Sequence, residues 1–180
     1  LLYVLIMIVN TDPFKRFIEI WLYLMLLLII LIVFIGGLTR LTDSGLSITE
    51  WELFKGILPP LNNETWNFYF NQYKKIPEYK EVNFNMSILE FKVIYYWEYG
   101  HRLIARVIGL FSLLPLIYFF FKFKDRRKQM PKYFVIFLLI CFQGFVGWIM
   151  VESGLINNTD VSHYRLALHL SIALIILSVV

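Results

Sequence analysis

Residues Ile20 to Leu38 read IWLYLMLLLIILIVFIGGL, nineteen consecutive positions without an Asp, Glu, Lys or Arg. Tyr133 to Val151, YFVIFLLICFQGFVGWIMV, is a second charge-free stretch of nineteen residues. A helix needs about 20 apolar residues to cross a hydrocarbon layer of ~30 Å, so each stretch predicts a membrane-spanning helix. The rest of the 180-residue chain agrees: 59% is hydrophobic and 17% charged, with a mean hydropathy of +0.66. A soluble domain carries about 25% charge. This composition excludes a water-soluble enzyme, a nucleic-acid binder and a disulfide-stapled secreted domain. The net charge of +4 and pI near 9.1 are explained by basic residues flanking membrane helices rather than by a nucleic-acid partner. The single cysteine, Cys141, lies in an apolar stretch and has no internal disulfide partner.

Working outward from these two stretches gives an all-α membrane protein, a bundle of four transmembrane helices. Residues 1–13 form an N-terminal segment that begins in a nine-residue apolar run, Leu1 to Val9, too short to cross. Asn10-Thr11-Asp12-Pro13 reads as a helix start, with Thr11 or Asp12 as cap. The first span covers 14–38, and Gly36-Gly37 is expected to loosen its far end. A polar loop over 39–94 follows, nearly balanced in charge, with Pro59-Pro60, Pro77 and several Asn as breakers. The second span is 95–121, and the loop 122–132 after it carries six bases against one acid. The third span is 133–151, the loop 152–163 is short and polar, and the fourth span, 164–180, is still running when the chain stops. Lys15-Arg16 and the basic loop share one side under the positive-inside rule. That side is expected to be cytoplasmic or matrix-facing, with the N-terminus, and the two polar loops to face outward.

This topology places two histidines at similar depth. His101 lies about two turns into the second span and His169 about a turn and a half into the fourth, on helices running the same way. Two neutral imidazoles facing each other across a bundle make an axial pair for haem iron. His163 falls off that face, at the water boundary, and is set aside. Glu98 precedes His101 by three residues and shares its helix face. Arg102, Arg106, Arg40 and Arg165 lie where a guanidinium reaches a negatively charged propionate. The residues support a second reading equally well: Glu98 and Arg102 as an i,i+4 ion pair, with the histidines bonded to backbone carbonyls. Two histidines and a glutamate also make a zinc set, but the zincin spacing is absent. Gly144 and Gly147 read as helix-packing positions, and Trp66 as an interfacial anchor.

The string GGLTRLTDSGLSITEW, Gly36 to Trp51, closely resembles the segment after the first helix of haem A synthases, in the branch found in mitochondria and alphaproteobacteria. Further pieces follow in the same order: PPL from Pro59, PEY from Pro77, EFK from Glu90, EYGHRLIAR from Glu98, QGFVGW from Gln143 and VSHYRLALHL from Val161. The resemblance covers about residues 15–180. It implies an oxidoreductase that converts haem O to haem A, turning a ring methyl into a formyl group for cytochrome oxidase. It implies eight transmembrane helices in two four-helix halves, each with one histidine pair. Substrate haem O belongs in the first half and a haem b cofactor in the second. On this pattern His101 and His169 are the axial pair of the first half and Glu98 its catalytic carboxylate. Arg102, Arg165 and Arg40 are candidate propionate contacts. The chain then corresponds to the N-terminal half, cut inside its fourth helix. Expected partners are haem O, membrane lipid, haem O synthase, cytochrome oxidase assembly proteins and a second copy in a homo-oligomer. The expected location is the bacterial inner membrane, with the mitochondrial inner membrane as the alternative. Competing functions are a non-catalytic bis-histidine, cytochrome b-like electron carrier and a non-functional fragment.

Overall fold

The computed structural model of the chain describes residues 12–51 and 55–180. The apolar run 1–9 and Thr11 lie outside the described residues. All regular structure among those described is helical. Helix α1 is Pro13–Leu41, α2 Asn63–Tyr73, α3 Pro77–Glu81, α4 Ile88–Lys122, α5 Met130–Asn157 and α6 His163–Val179. Two 3-10 turns, Lys55–Ile57 and Lys124–Gln129, complete it. Three helical stretches are long and apolar enough to cross a membrane: α1, α4, and α5 counted from the 3-10 turn at Lys124 to Ile156. The fourth, α6, is apolar and has 17 residues. The protein is an all-α membrane protein.

The helices begin where their caps dictate. The Asp12 side chain accepts from the Phe14 N–H at 3.1 Å, and Pro13 occupies the first turn, where its missing N–H costs nothing. Gly36-Gly37 does not loosen α1, which runs regularly to Leu41; Asp43 then turns the chain with φ 47, a conformation Asp tolerates better than most residues. Helix α4 starts seven residues before the span expected from hydropathy. A reciprocal capping box sets that start: Ser87 Oγ accepts from the Glu90 N–H, and Glu90 accepts from the Ser87 N–H at 2.8 Å. At 35 residues α4 is about 52 Å long, well beyond the ~30 Å of hydrocarbon. Its first turns precede the apolar run that begins near Tyr95 and carry the segment expected to be a polar loop. That segment is a folded cap: α2 packs on α4 and α3 on α5. Trp66 is not an interfacial anchor but a cap core residue, 5% exposed, with its ring 5.1 Å from Tyr95 and 6.5 Å from Phe91.

The long helices form a ring in which α1 packs on α4, α4 on α5, α5 on α6, and α6 back on α1. Helices α4 and α6 are therefore diagonal partners. Pro115 inside α4 supplies no N–H to the Phe111 carbonyl. The Trp21 indole of α1 takes that carbonyl instead, donating at 2.9 Å. Asp12 pairs with Arg126 at 2.7 Å, so the start of α1 and the basic 3-10 turn share one end of the bundle. Two apolar cores result. One, around Trp21, Met25 and Phe119, fills the bundle toward the basic end. The other, around Trp66, Tyr73 and Phe91, fills the cap. The segment of α4 from Glu98 to Arg102 lies between them.

Candidate functional site

The site begins with a buried carboxylate. Glu98 is 3% exposed, and its oxygens are held from three directions. Ser47 Oγ donates to Oε2 at 2.7 Å and the Ile48 backbone N–H to the same atom at 2.8 Å. Arg102, one turn along α4, bonds Oε1 and also donates to the Ile48 carbonyl at 3.0 Å. A buried charge is tolerable when it is paired and its lone pairs are filled, and this one is. Its partners also explain why the 42–51 segment folds down onto α4. The guanidinium of Arg102 lies 5.5 Å from the Trp51 ring centroid, closing the arrangement with a cation–π contact.

His101, one turn along α4 from Glu98, is half-buried, with Gly36 of α1 beside it. A Cβ at Gly36 would stand 3.2 Å from His101 Nε2. His169 on α6 is also half-buried, and a Cβ at Gly147 of α5 would stand 2.9 Å from its Cε1, closer than real Cβ contacts come. Each imidazole thus lies against a glycine of the neighbouring helix. Gly147 seats a ring; it is not simply a packing position, and Gly144, with nothing within 4 Å of its notional Cβ, serves neither purpose. Gln143 of α5 donates to the His169 backbone carbonyl at 2.9 Å, fixing the register of α6 at that level. The two rings sit on diagonal helices. Among the described residues, His169 Nδ1 is buried without a hydrogen-bond partner.

The arginines are engaged. Arg40 binds Asp160 through both terminal nitrogens, at 3.0 and 2.8 Å, and reaches Asp43 at 3.3 Å. It clasps the end of α1 to the segment before α6. Arg165 is exposed and donates to the Ile149 carbonyl of α5 at 3.2 Å. Arg106 is half-buried and lines a narrow cleft with Arg102, Tyr95 and Tyr99. The levels of the two histidines follow from the Arg40–Asp160 clasp. Gly36 is about 6 Å below Arg40 along α1, and His169 about 9 Å below the first residue of α6, at 1.5 Å per residue. The rings therefore lie within about one helical turn of each other in depth.

These residues fit a haem. A buried His169 nitrogen without a hydrogen-bond partner, a second imidazole on the diagonal helix and a glycine beside each ring are compatible with an axial pair. Sequence reasoning singled out His101, His169, Glu98 and Arg102; the structure pairs Glu98 with Arg102 beside His101 on α4 and sets His169 on the diagonal helix. It missed the hydroxyl of Ser47 and the Ile48 N–H, because a loop backbone carries no motif for the carboxylate it binds.

Residues 19–180 match the family described as cytochrome oxidase assembly protein. The chain belongs to this family. Among related members, it is 60% identical over 174 residues to the haem A synthase of Pelagibacter ubique (strain HTCC1062), covering 97% of this chain and 52% of that protein. It is 51% identical over 156 residues to the haem A synthase of Rickettsia bellii (strain OSU 85-389), covering 87% and 46%. To the haem A synthase of Azorhizobium caulinodans it is 50% identical over 165 residues, covering 92% and 47%. The chain spans about half the length of the relatives it matches. No solved structure matches it.

Proposed function

We propose that this chain forms the substrate-haem half of a haem A synthase, holding haem O between His101 and His169 while a ring methyl is oxidised to a formyl group. The observation that carries this reading is the pair of half-buried imidazoles on diagonal helices, each against a glycine, with His169 Nδ1 unpartnered. His101 and His169 would hold the haem iron; turning the methyl into a formyl group would take its oxygen from water and pass four electrons to an external electron acceptor. The protein's own residues orient the macrocycle, keep lipid and bulk water out, and manage protons. Glu98 is the proposed catalytic carboxylate. It lies one turn from His101, it is shielded from water, and its partners Ser47, Ile48 and Arg102 aim it. Its task is to accept a proton as the methyl C–H bonds are replaced by a carbonyl. Arg102, Arg165 and Arg40 are the proposed propionate contacts at the cap end; Arg40 would exchange part of its Asp160 pairing to make one.

The same reading assigns a haem b cofactor to the part of its relatives that this chain does not span. Haem O synthase and cytochrome oxidase assembly proteins are the proposed partners, and a homo-oligomer the proposed assembly. The proposed location is the bacterial inner membrane. The basic end, held together by Asp12–Arg126, faces the cytoplasm under the positive-inside rule. Haem A synthase relatives at 60% and 51% identity support the reading over the bis-histidine carrier.

The test is chromatography of haem extracted from cells that make haem O and express the chain within a full-length synthase. Haem A is expected with the native residues and its yield should fall about a hundredfold with Glu98→Gln, the size of a lost general-base contribution. Undiminished haem A with Glu98→Gln contradicts the catalytic assignment, and absence of haem A with the native residues contradicts the synthase reading.

A further inference from the structure

Eight of the chain's 17 cations gather at the end of the bundle away from the cap. Lys15 and Arg16 lie in the first turn of α1, and the other six run from Lys122, which ends α4, to Lys132 in the first turn of α5. All are exposed. The acids at this end are Asp12, Glu19 and Asp125. Asp12 is held by Arg126 at 2.7 Å and Glu19 by Lys15 at 3.8 Å. Among the described residues, Arg16, Lys122, Lys124, Arg127, Lys128 and Lys132 make no ion pair. Hydropathy assigns such residues to the flank of a membrane helix, which explains their sign but not their density.

These cations border exposed aromatic rings. The Arg127 guanidinium lies 4.3 Å from the Phe120 ring centroid, and its Nε donates to the Phe120 carbonyl at 3.1 Å, so this charge is drawn back along the end of α4. Lys132 Nζ lies 4.7 Å from the Tyr133 centroid at the start of α5. One turn deeper, Phe17 of α1 and Tyr118 of α4 stack at 5.3 Å across the seam between the two helices, and both are exposed. Tyr118 precedes Lys122 by four residues and shares its helix face. The surface is thus apolar on the spanning segments and positive at their edge. A free anion would use the cations alone. A phospholipid uses both, with its headgroup on the charges and a chain against the rings.

We infer that the basic end of the bundle selects bilayer phospholipids of net negative headgroup charge, drawn by Lys122, Lys124, Lys128 and Lys132 and seated against Phe17 and Tyr118. The charge complementarity is direct: a lysine or arginine close to an anionic lipid surface strengthens association several-fold, and this end offers several that no acid neutralises. The held lipid joins α1 to the turn between α4 and α5, the same two parts that Asp12–Arg126 ties together. The inference is independent of the proposed function, because none of these residues belongs to the haem site.

Spin-labelled phospholipids in bilayers containing the whole chain test it, since electron spin resonance reports the fraction of each lipid immobilised on the protein. Labelled phosphatidylglycerol should associate about fivefold more strongly than labelled phosphatidylcholine at low salt. The preference should shrink as sodium chloride screens the charges. Lys124→Gln and Lys128→Gln, both at exposed positions, should each cut it about twofold and together bring it near parity. Lys80→Gln, exposed on α3 at the cap end, should leave it unchanged. The salt series on the native chain decides the matter should the double variant fail to fold. Equal association of the two lipids, a preference indifferent to salt, or one lost equally with Lys80→Gln overturns the inference. So does a preference abolished by inorganic phosphate at the concentration of the labelled lipid, which would assign the cations to a free anion. Failure here leaves haem A production intact as the test of the proposed function.

Discussion

Two glycines on one helix separate what a residue type can say from what its position says. Gly144 and Gly147 both lie on α5, and both are small residues of the kind enriched where membrane helices pack. Only Gly147 meets an imidazole, with a notional Cβ 2.9 Å from His169 Cε1, whereas Gly144 faces open space. Gly147→Ala should therefore displace the ring, at an overpacking cost of about 1–3 kcal/mol, and weaken haem retention on the order of tenfold. Gly144→Ala should leave retention within twofold. Haem titration of the two purified variants checks this, and equal retention would refute the cradle. The histidines were legible in the sequence because ionisable side chains inside spans are rare and costly. The cradle was not legible, because a glycine that lets helices touch and one that admits a ring are identical in sequence.

At the scale of elements, α4 shows where hydropathy stops being informative. Its apolar run begins near Tyr95, so the span was legible, but the helix starts at Ile88 because Ser87 and Glu90 cap it reciprocally. Ser87-Ile88-Leu89-Glu90 carries the S-x-x-E pattern of a capping box, which hydropathy does not register. Within α4, Pro115 frees the Phe111 carbonyl, and the Trp21 indole satisfies it. Trp21 is 2% exposed, so Trp21→Phe keeps most of the apolar contact and deletes only the donor. Thermal unfolding in detergent should show a loss of about 1–3 kcal/mol, the cost of an unsatisfied buried carbonyl. A change under a few tenths would show that the carbonyl finds another donor. The cap helices α2 and α3 were hidden for a related reason: their stabilising contacts are long-range aromatic ones, such as Trp66 with Tyr95, which leave no periodic trace in a polar segment.

For the whole molecule, polar links that tie the loop after α1 to the bundle include Glu98 with Ser47 and Ile48, Arg102 with Ile48, and Arg40 with Asp160. Burial of the Glu78 carboxyl on α3 makes the fold sensitive to pH. Its folded-state value of about 8 lies above the ordinary 4.5, so the folded protein binds the extra proton between those values. Stability from this group is full below the ordinary value and is lost as pH rises through about 8. The melting temperature should accordingly fall between about pH 5 and about pH 9, and Glu78→Gln should flatten that slope. A slope unchanged in Glu78→Gln would assign the pH dependence to other groups.

The axial assignment remains the claim on which site and function both depend. The most direct measurement is the visible absorption spectrum of the protein purified in detergent with haem O supplied. The native chain should show the Soret and sharp reduced bands of a six-coordinate, bis-histidine haem, and His101→Ala and His169→Ala should each abolish or shift them. A native protein that takes up no haem, or a spectrum unchanged when either histidine is removed, would contradict the account.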